Sequence, residues 1–97
     1  MKEVVEECAQ LGVKAVVIIS GGFSEAGPEG AVLEREIAQI ASDAGMAMIG
    51  PNCVGAMSSW RRFYGTGGVI TQPGPGPASF LSHSGNMGVQ LMASAEE

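Results

Sequence analysis

Residues 46–53 read MAMIGPNC, a short apolar run that ends abruptly in a turn. A strand followed by Gly50, Pro51, Asn52 and Cys53 presents a tight turn, a side-chain amide and a thiol at its carboxyl end. In open α/β sheets, ligands bind at that end of the strands. The sequence therefore predicts a parallel sheet with a binding crevice beside Gly50.

Two further apolar runs end in the same way. Residues 16–19 are followed by the turn Ser20-Gly21-Gly22-Phe23, and residues 79–81 are followed by Ser82-His83-Ser84-Gly85. Turns of glycine and small polar residues expose backbone amides that can bind an anion. Three such strand ends predict one crevice that holds an anionic ligand.

Composition excludes several classes of protein. With 97 residues, 45% of them hydrophobic and 15 of them glycine, the chain is expected to be a small, turn-rich α/β protein. A net charge of −5 with only five Lys or Arg argues against nucleic acid as a partner. No apolar run approaches the ~20 residues that cross a bilayer, so we expect no membrane partner.

The cysteines and the first residues of the chain predict a cytoplasmic location. Cys8 and Cys53 are isolated and lack metal-ligand spacing, which favours a reducing compartment and predicts no metal site. Residues 1–7 carry acidic side chains where a signal peptide needs an apolar core.

The periodicity of apolar residues predicts alternating helices and strands. Helical spacing predicts helices over 2–11, 29–44 and 86–95, while apolar runs predict strands at 14–19, 46–49 and 78–81. The β-branched run at 14–19 is typical of a strand covered on both faces. Between the second and third strands, residues 57–77 are rich in Gly and Pro and predict a linker or irregular arm. The expected order is the end of one α/β domain at 1–56, a linker at 57–77 and the start of another domain at 78–97.

Four motifs in order carry a family resemblance. They are ISGGFSEAG at 19–27, LERE at 33–36, GPNCVG at 50–55 and SHSGNMG at 82–88. Together they resemble the nucleoside-diphosphate-forming acyl-CoA synthetases, which include ADP-forming acetate–CoA ligases and relatives of the succinyl-CoA synthetase α subunit. The resemblance implies an α/β fragment: part of a Rossmann-like CoA-binding domain, a Gly/Pro-rich linker, and the first βα unit of a flavodoxin-like ligase domain.

The resemblance also implies two groups of site residues. CoA would contact the turns after the first two strands, at Ser20, Gly21, Gly22, Phe23, Pro51, Asn52 and Cys53. The phosphate of a phosphohistidine intermediate would face the start of the last helix, at Ser82, Ser84, Gly85 and Asn86. A helix N-terminus suits a phosphoryl group because its amides are unpaired and its dipole is positive there, and Ser84 is placed to cap it.

The resemblance places the catalytic parts of such an enzyme outside these 97 residues. The glycine-rich CoA fingerprint, the phosphorylated histidine and the ATP-grasp portion have no counterpart here, and His83 occupies the variable position of Ser-X-Ser-Gly. We therefore assign no catalytic residue and expect the chain to be inactive alone. CoA is the implied substrate, the remaining domains or a subunit are the implied partners, and ATP/ADP and Mg²⁺ belong to the complete enzyme.

The residues leave several alternatives open. The Cys53 thiol is either reactive or, more in keeping with its type, packed at the strand end. His83 is a general base or an ordinary loop histidine, and the Ser-X-Ser-Gly motif either faces phosphate or only starts a helix. As a whole, the chain is a piece of a synthetase or a non-catalytic CoA-binding or assembly module whose open strand edge pairs with a partner.

The charged residues have their own alternatives. The Arg61–Arg62 pair contacts a CoA phosphate, or it helps to dock the linker beside Trp60. Among the acidic residues, Glu25 is expected to position its own loop, whereas Glu34 and Glu36 point to different helix faces and are expected to be solvated.

Overall fold

The computed structural model describes residues 1–68 and 71–95. The chain forms two compact units, which meet in the sequence between Cys53 and Val54. The first contains a parallel βαβ arrangement preceded by a helix, and the second contains an antiparallel hairpin and a helix.

Two helices and two strands alternate in the first unit. They are α1 (Lys2–Gln10), β1 (Ala15–Val17), α2 (Pro28–Asp43) and β2 (Ala47–Ile49). β1 and β2 pair in parallel, with Val16 opposite Met48. Both helices end where predicted because a glycine in the left-handed region follows each, Gly12 with φ 72° and Gly45 with φ 64°. The two predicted helices and the two predicted strands are confirmed, with strands shorter than their apolar runs.

Each helix and strand of the first unit, or a turn next to it, contributes a residue to the core. Its buried residues are Val5, Ile18, Phe23, Ile37, Ala41 and Met46. Ile37 of α2 is completely buried, at 0% exposure. Leu33 and Ile40, one turn to either side, pack partly against the same cluster. The apolar face that the helical spacing of α2 predicts is therefore the one that builds the core.

One side of β1 is open. Val16 and Val17 are only half-buried and Ile19 is 43% exposed, so the expectation of a strand covered on both faces is wrong for this unit. The reason is that two helices and two strands leave part of β1 without a neighbour. A groove of about 600 Å³ results, lined by Met1, Val4, Val5, Cys8 and residues 16–20.

The second unit begins with a hairpin. β3 (Gly55–Ser58) and β4 (Phe63–Thr66) pair antiparallel, with Gly55 opposite Thr66. One turn of 3₁₀ helix at Ser59–Arg61 joins them. The prediction of an irregular linker over 57–77 is therefore wrong for 57–66. Phe63 and Tyr64 are residue types that favour strands, but the glycines around them made the segment resemble a loop.

The final helix, α3, spans Gly85–Ser94 and confirms the helix predicted over 86–95. The predicted strand at 78–81 does not form. A strand needs a neighbouring edge for its backbone hydrogen bonds, and no strand in the described part of the chain pairs with these residues. Phe80 and Leu81 accordingly remain 50% and 101% exposed.

The longest helix in the described residues is α2, with 16 residues. Across residues 1–68 and 71–95, no helix combines the length and the hydropathy that crossing a bilayer requires.

Candidate functional site

The parallel pairing of β1 and β2 places two predicted turns at one edge of the sheet. Ser20 follows the end of β1, and Asn52 lies in the turn that follows β2. The backbone N–H of Asn52 donates a hydrogen bond to the carbonyl oxygen of Ser20, with 3.0 Å between nitrogen and oxygen. The structure therefore brings together the two segments for which the family resemblance implies contacts with CoA.

The turn 50–53 depends on unusual backbone conformations. Gly50 has φ 93°, Asn52 has φ 53°, and the peptide bond between Gly50 and Pro51 is cis. A Cβ added to Gly50 would overlap the carbonyl oxygen of Ile18 and lie 3.0 Å from the Cys53 sulfur. Glycine is required here both by the left-handed φ and by the close approach of β1.

Cys53 is half-buried, and its sulfur donates a hydrogen bond to the Ile18 carbonyl oxygen at 3.3 Å. This contact ties the turn after β2 to the end of β1. The observation favours the packing alternative for Cys53, in which the thiol holds the two strand ends together.

Carboxylates hold the turn after β1. Glu25 Oε1 accepts hydrogen bonds from the backbone N–H of Gly22 at 2.5 Å and of Phe23 at 3.2 Å. Glu34 Oε2, reaching back from α2, accepts from the N–H of Ser24 at 3.0 Å. The three amides are thus already occupied, which corrects the expectation that this turn offers free donors to an anion.

These contacts decide the predictions for the acidic residues. Glu25 positions its own loop, as predicted. The expectation that Glu34 is solvated is wrong, because α2 runs back past the loop and carries this half-buried side chain within reach of Ser24. Glu36 stays 45% exposed but forms an ion pair with Lys2 at 3.1 Å.

The Phe23 side chain fixes the turn to the core of the first unit. Its side chain is 2% exposed and belongs to the core, so only its backbone can face a ligand. A Cβ added to Gly30, in the first turn of α2, would overlap the backbone of Phe23. The start of α2 therefore packs directly on this turn, and sequence reasoning missed this role of Gly30.

The loop should depend on pH through Glu25. Hydrogen bonds from the Gly22 amide first and then from its own amide lower the pKa of Glu25 below its ordinary value of 4.5. Desolvation opposes this lowering, and the Phe23 amide adds a smaller contribution to it. A lowered folded-state pKa means that the contact is intact above 4.5 and is lost as pH falls through the folded pKa. In an NMR pH titration, the amide resonances of Gly22 and Phe23 should therefore move with a midpoint below 4.5.

The matched control is Glu25→Gln, which retains an acceptor oxygen but does not titrate and should abolish that transition. A midpoint at or above 4.5 in the original chain would contradict the contact.

In the second unit, Ser84 caps α3. Its Oγ accepts a hydrogen bond from the backbone N–H of Met87 at 3.4 Å, and Ser82 Oγ donates to the Ser84 carbonyl oxygen at 2.7 Å. The predicted N-cap is confirmed, while the phosphate-facing role stays a prediction. His83 and Asn86 are exposed beside it.

We expect Ser84→Ala to destabilise α3 by about 1 kcal/mol, because the Met87 amide would lose its only capping acceptor from a side chain. The free energy of unfolding from urea titrations followed by circular dichroism measures this cost. Ser94→Ala, at the other end of the same helix, is the matched control and should change stability by less than about 0.5 kcal/mol. Equal effects of the two substitutions would refute the capping role.

Side chains of the hairpin hold the segment 73–76. Ser59 Oγ donates to the Pro73 carbonyl oxygen at 2.6 Å, Trp60 Nε1 donates to that of Gly76 at 3.2 Å, and the Tyr64 hydroxyl lies 3.5 Å from the Pro73 oxygen. These contacts favour docking of this segment by the residues beside the arginine pair. Arg61 and Arg62 themselves are exposed.

No metal centre is seen in the described parts of the chain. Within residues 1–68 and 71–95, no three His, Cys, Asp or Glu side chains are grouped so that they could hold a metal ion.

Comparison with known proteins shows similarity to a CoA-binding domain and to two CoA ligases. Residues 1–59 match the family model described as "CoA binding domain". The chain is 42% identical over 92 residues to acetate–CoA ligase [ADP-forming] II subunit alpha of Pyrococcus furiosus, covering 95% of this chain and 20% of that protein. It is 33% identical over 93 residues to 4-hydroxybutyrate–CoA ligase [ADP-forming] of Nitrosopumilus maritimus, covering 95% of this chain and 13% of the relative.

A solved structure shares the fold. The crystal structure of PH0766 from Pyrococcus horikoshii OT3 superposes with a TM-score of 0.88 at 39% identity, over 96% of this chain and 21% of the other. The mixed α/β fold predicted from the sequence is therefore confirmed. The chain spans about a fifth or less of the length of these proteins.

Proposed function

Because this chain belongs to the CoA-binding domain family, we propose that its first unit supplies part of the CoA pocket of a larger, nucleoside-diphosphate-forming acyl-CoA synthetase. The observation that carries the proposal is the joined pair of turns at the carboxyl edge of the sheet, linked by the hydrogen bond from Asn52 to Ser20. Ligands bind at this edge in open α/β sheets. The 42% identity with the α subunit of an ADP-forming acetate–CoA ligase supports the same reaction class.

Within this pocket, each turn has a distinct part. Gly21 and Asn52 are exposed and adjacent, since a Cβ on Gly21 would lie 3.4 Å from Asn52 Oδ1. The Phe23 side chain is buried, so this residue would contact CoA through its backbone. Cys53 ties the two strand ends together through its hydrogen bond to Ile18. The proposed CoA contacts remain Ser20, Gly21, Gly22, Phe23, Pro51, Asn52 and Cys53.

The second unit contributes the start of α3 in this proposal. Ser82, Ser84, Gly85 and Asn86 would face the phosphate of a phosphohistidine that another part of the synthetase provides. The capped N-terminus of a ten-residue helix supports this role, because its first-turn amides and dipole favour a negative group. Residues 1–56 would form the end of the CoA-binding domain and residues 78–97 the start of the ligase domain. The connection between them, 57–77, would include most of the hairpin formed by residues 55–66.

The complete enzyme would interconvert an acid, CoA and a nucleoside triphosphate with an acyl-CoA, a nucleoside diphosphate and phosphate. The remaining domains or a partner subunit would supply the nucleotide and Mg²⁺ sites, as expected for a relative of a protein named an α subunit. We propose a cytoplasmic location for it.

The test is a two-dimensional amide NMR spectrum of the 97-residue chain, recorded with and without millimolar CoA. Shifts confined to the joined turns, at Gly21, Gly22, Asn52 and Cys53, are the expected result. The amide of Gly45, which lies in a turn between α2 and β2, is the internal control and should not move. A dispersed spectrum that CoA leaves unchanged would refute CoA binding by this chain.

The open groove beside β1 favours a second candidate, a non-catalytic assembly module. Val4 and Ile19 are 55% and 43% exposed on its walls, and an exposed apolar strand edge pairs readily with another chain. Light scattering after gel filtration distinguishes the two candidates. An assembly module should self-associate or bind a partner without CoA, and Ile19→Glu should abolish that association.

A further inference from the structure

We propose that Glu25 is a positioning and specificity residue of the CoA site: its carboxylate occupies the backbone amides of the first turn and excludes the phosphate groups of the ligand from them. The inference rests on the proposed function and specifies which chemistry this turn accepts. An uncharged, hydrogen-bond-donating part of the ligand would lie against Gly21 and Asn52.

The argument begins with the amides of Gly22, Phe23 and Ser24. Consecutive N–H groups in such a turn usually form a concave anion site. Here the protein supplies the anions itself, since Glu25 Oε1 accepts from the first two amides and Glu34 Oε2 from the third. We call these two side chains the carboxylate clamp.

The clamp explains the glycine pair in the turn. A Cβ on Gly21 would lie 2.8 Å from Glu25 Oε1, closer than a carbon and a carboxylate oxygen pack. Gly22 has φ 99°, a left-handed conformation that turns its N–H toward the same oxygen. The left-handed φ favours glycine at 22, whereas a larger residue at 21 would displace the Glu25 carboxylate from its present position. The clamp therefore gives both glycines a role that does not involve a bound phosphate.

The charge of the clamp determines what binds beside it. Glu25 is exposed, so its carboxylate is accessible to the ligand and carries a full negative charge at neutral pH. A phosphate within about 4 Å would be repelled, and we expect its affinity to be lower by about fivefold. The oxygens of Glu25 and Asn52 flank Gly21 as acceptors, which suits a ligand N–H or O–H group.

The two halves of CoA provide the probes, because pantetheine is uncharged and adenosine 3′,5′-bisphosphate is anionic. Each is titrated into the 15N-labelled 97-residue chain and into its Glu25→Gln, Glu34→Gln and Glu29→Gln variants. Glu29 lies in the first turn of α2 outside the clamp, so Glu29→Gln is the control for loss of one charge nearby. Glutamine keeps an acceptor oxygen, and unchanged Ile37 and Ala41 resonances, from the buried core, verify that each variant folds.

In the original chain, pantetheine should shift the amides of Gly21, Gly22 and Asn52, and the bisphosphate should shift them only weakly and at high concentration. Glu25→Gln should strengthen binding of the bisphosphate at these amides by about fivefold, and Glu34→Gln in the same direction, while Glu29→Gln should not. The inference is overturned if the bisphosphate shifts Gly22 and Phe23 in the original chain as readily as in Glu25→Gln, or if Glu25→Gln behaves like Glu29→Gln. Either of those results leaves the proposed function intact, provided that CoA itself shifts the amides of the two turns. If CoA shifts none of these amides, both the proposed function and this inference are refuted.

Discussion

Ile37→Ala should unfold the first unit or bring it close to unfolding. Ile37 is completely buried at the centre of the cluster formed by α1, α2 and the strand ends. Removing its side chain leaves a cavity, and comparable substitutions cost about 2–5 kcal/mol. The free energy of unfolding of a unit of this size is small, since small domains bury a modest share of their surface, and a loss of this size can exceed it. The free energy of unfolding from urea titrations measures the loss.

Val32→Ala provides the matched control for that experiment. Val32 lies on the same helix but is 47% exposed, so its truncation should change stability by no more than about 0.5 kcal/mol. If both variants lose the same stability, then α2 does not pack through Ile37, and the described core is refuted.

Gly50→Ala should have the largest effect on the candidate site. The new Cβ would overlap the Ile18 carbonyl oxygen, the same atom that accepts the Cys53 hydrogen bond. It would also force alanine into a φ of 93°, and strained residues of this kind cost about 1–3 kcal/mol each. We expect the turn 50–53 to separate from β1, with loss of the CoA-dependent shifts at Asn52 and a clear drop in stability.

Gly45→Ala separates the two causes of that effect. Gly45 also has a positive φ, 64°, but a Cβ there would meet nothing within 4 Å. Its substitution should therefore cost only backbone strain, about 1 kcal/mol, and should leave CoA binding intact. Comparable losses of stability in both variants, with CoA binding retained in Gly50→Ala, would show that the close approach to Ile18 is unimportant.

The helices were predictable because their information is local. Apolar side chains recur along α2 at helical spacing, and glycines at 12 and 45 follow α1 and α2 in the left-handed conformation that ends a helix. The N-cap Ser84 was predictable for the same reason, since a cap involves residues three positions apart.

The strands were harder to predict. The hairpin at 55–66 was missed because its strands are short and contain glycine, and the strand expected at 78–81 was wrong because a strand depends on a partner elsewhere in the chain. A single apolar run cannot indicate whether such a partner exists.

Apolar runs followed by turn residues were enough to indicate an α/β protein with a ligand at the strand ends, because that is where ligands bind in open sheets. The CoA-binding class followed only from the family resemblance of the four motifs. How the first turn is held became clear only in three dimensions. Glu34 reaches Ser24 across ten positions, and Cys53 reaches Ile18 across 35, through the folding back of α2 and the pairing of β2 with β1. Periodicity records which face of an element is buried, but it carries no information about distant polar atoms that meet only when the elements pack. The availability of the turn's amides to a ligand is set by those long-range contacts.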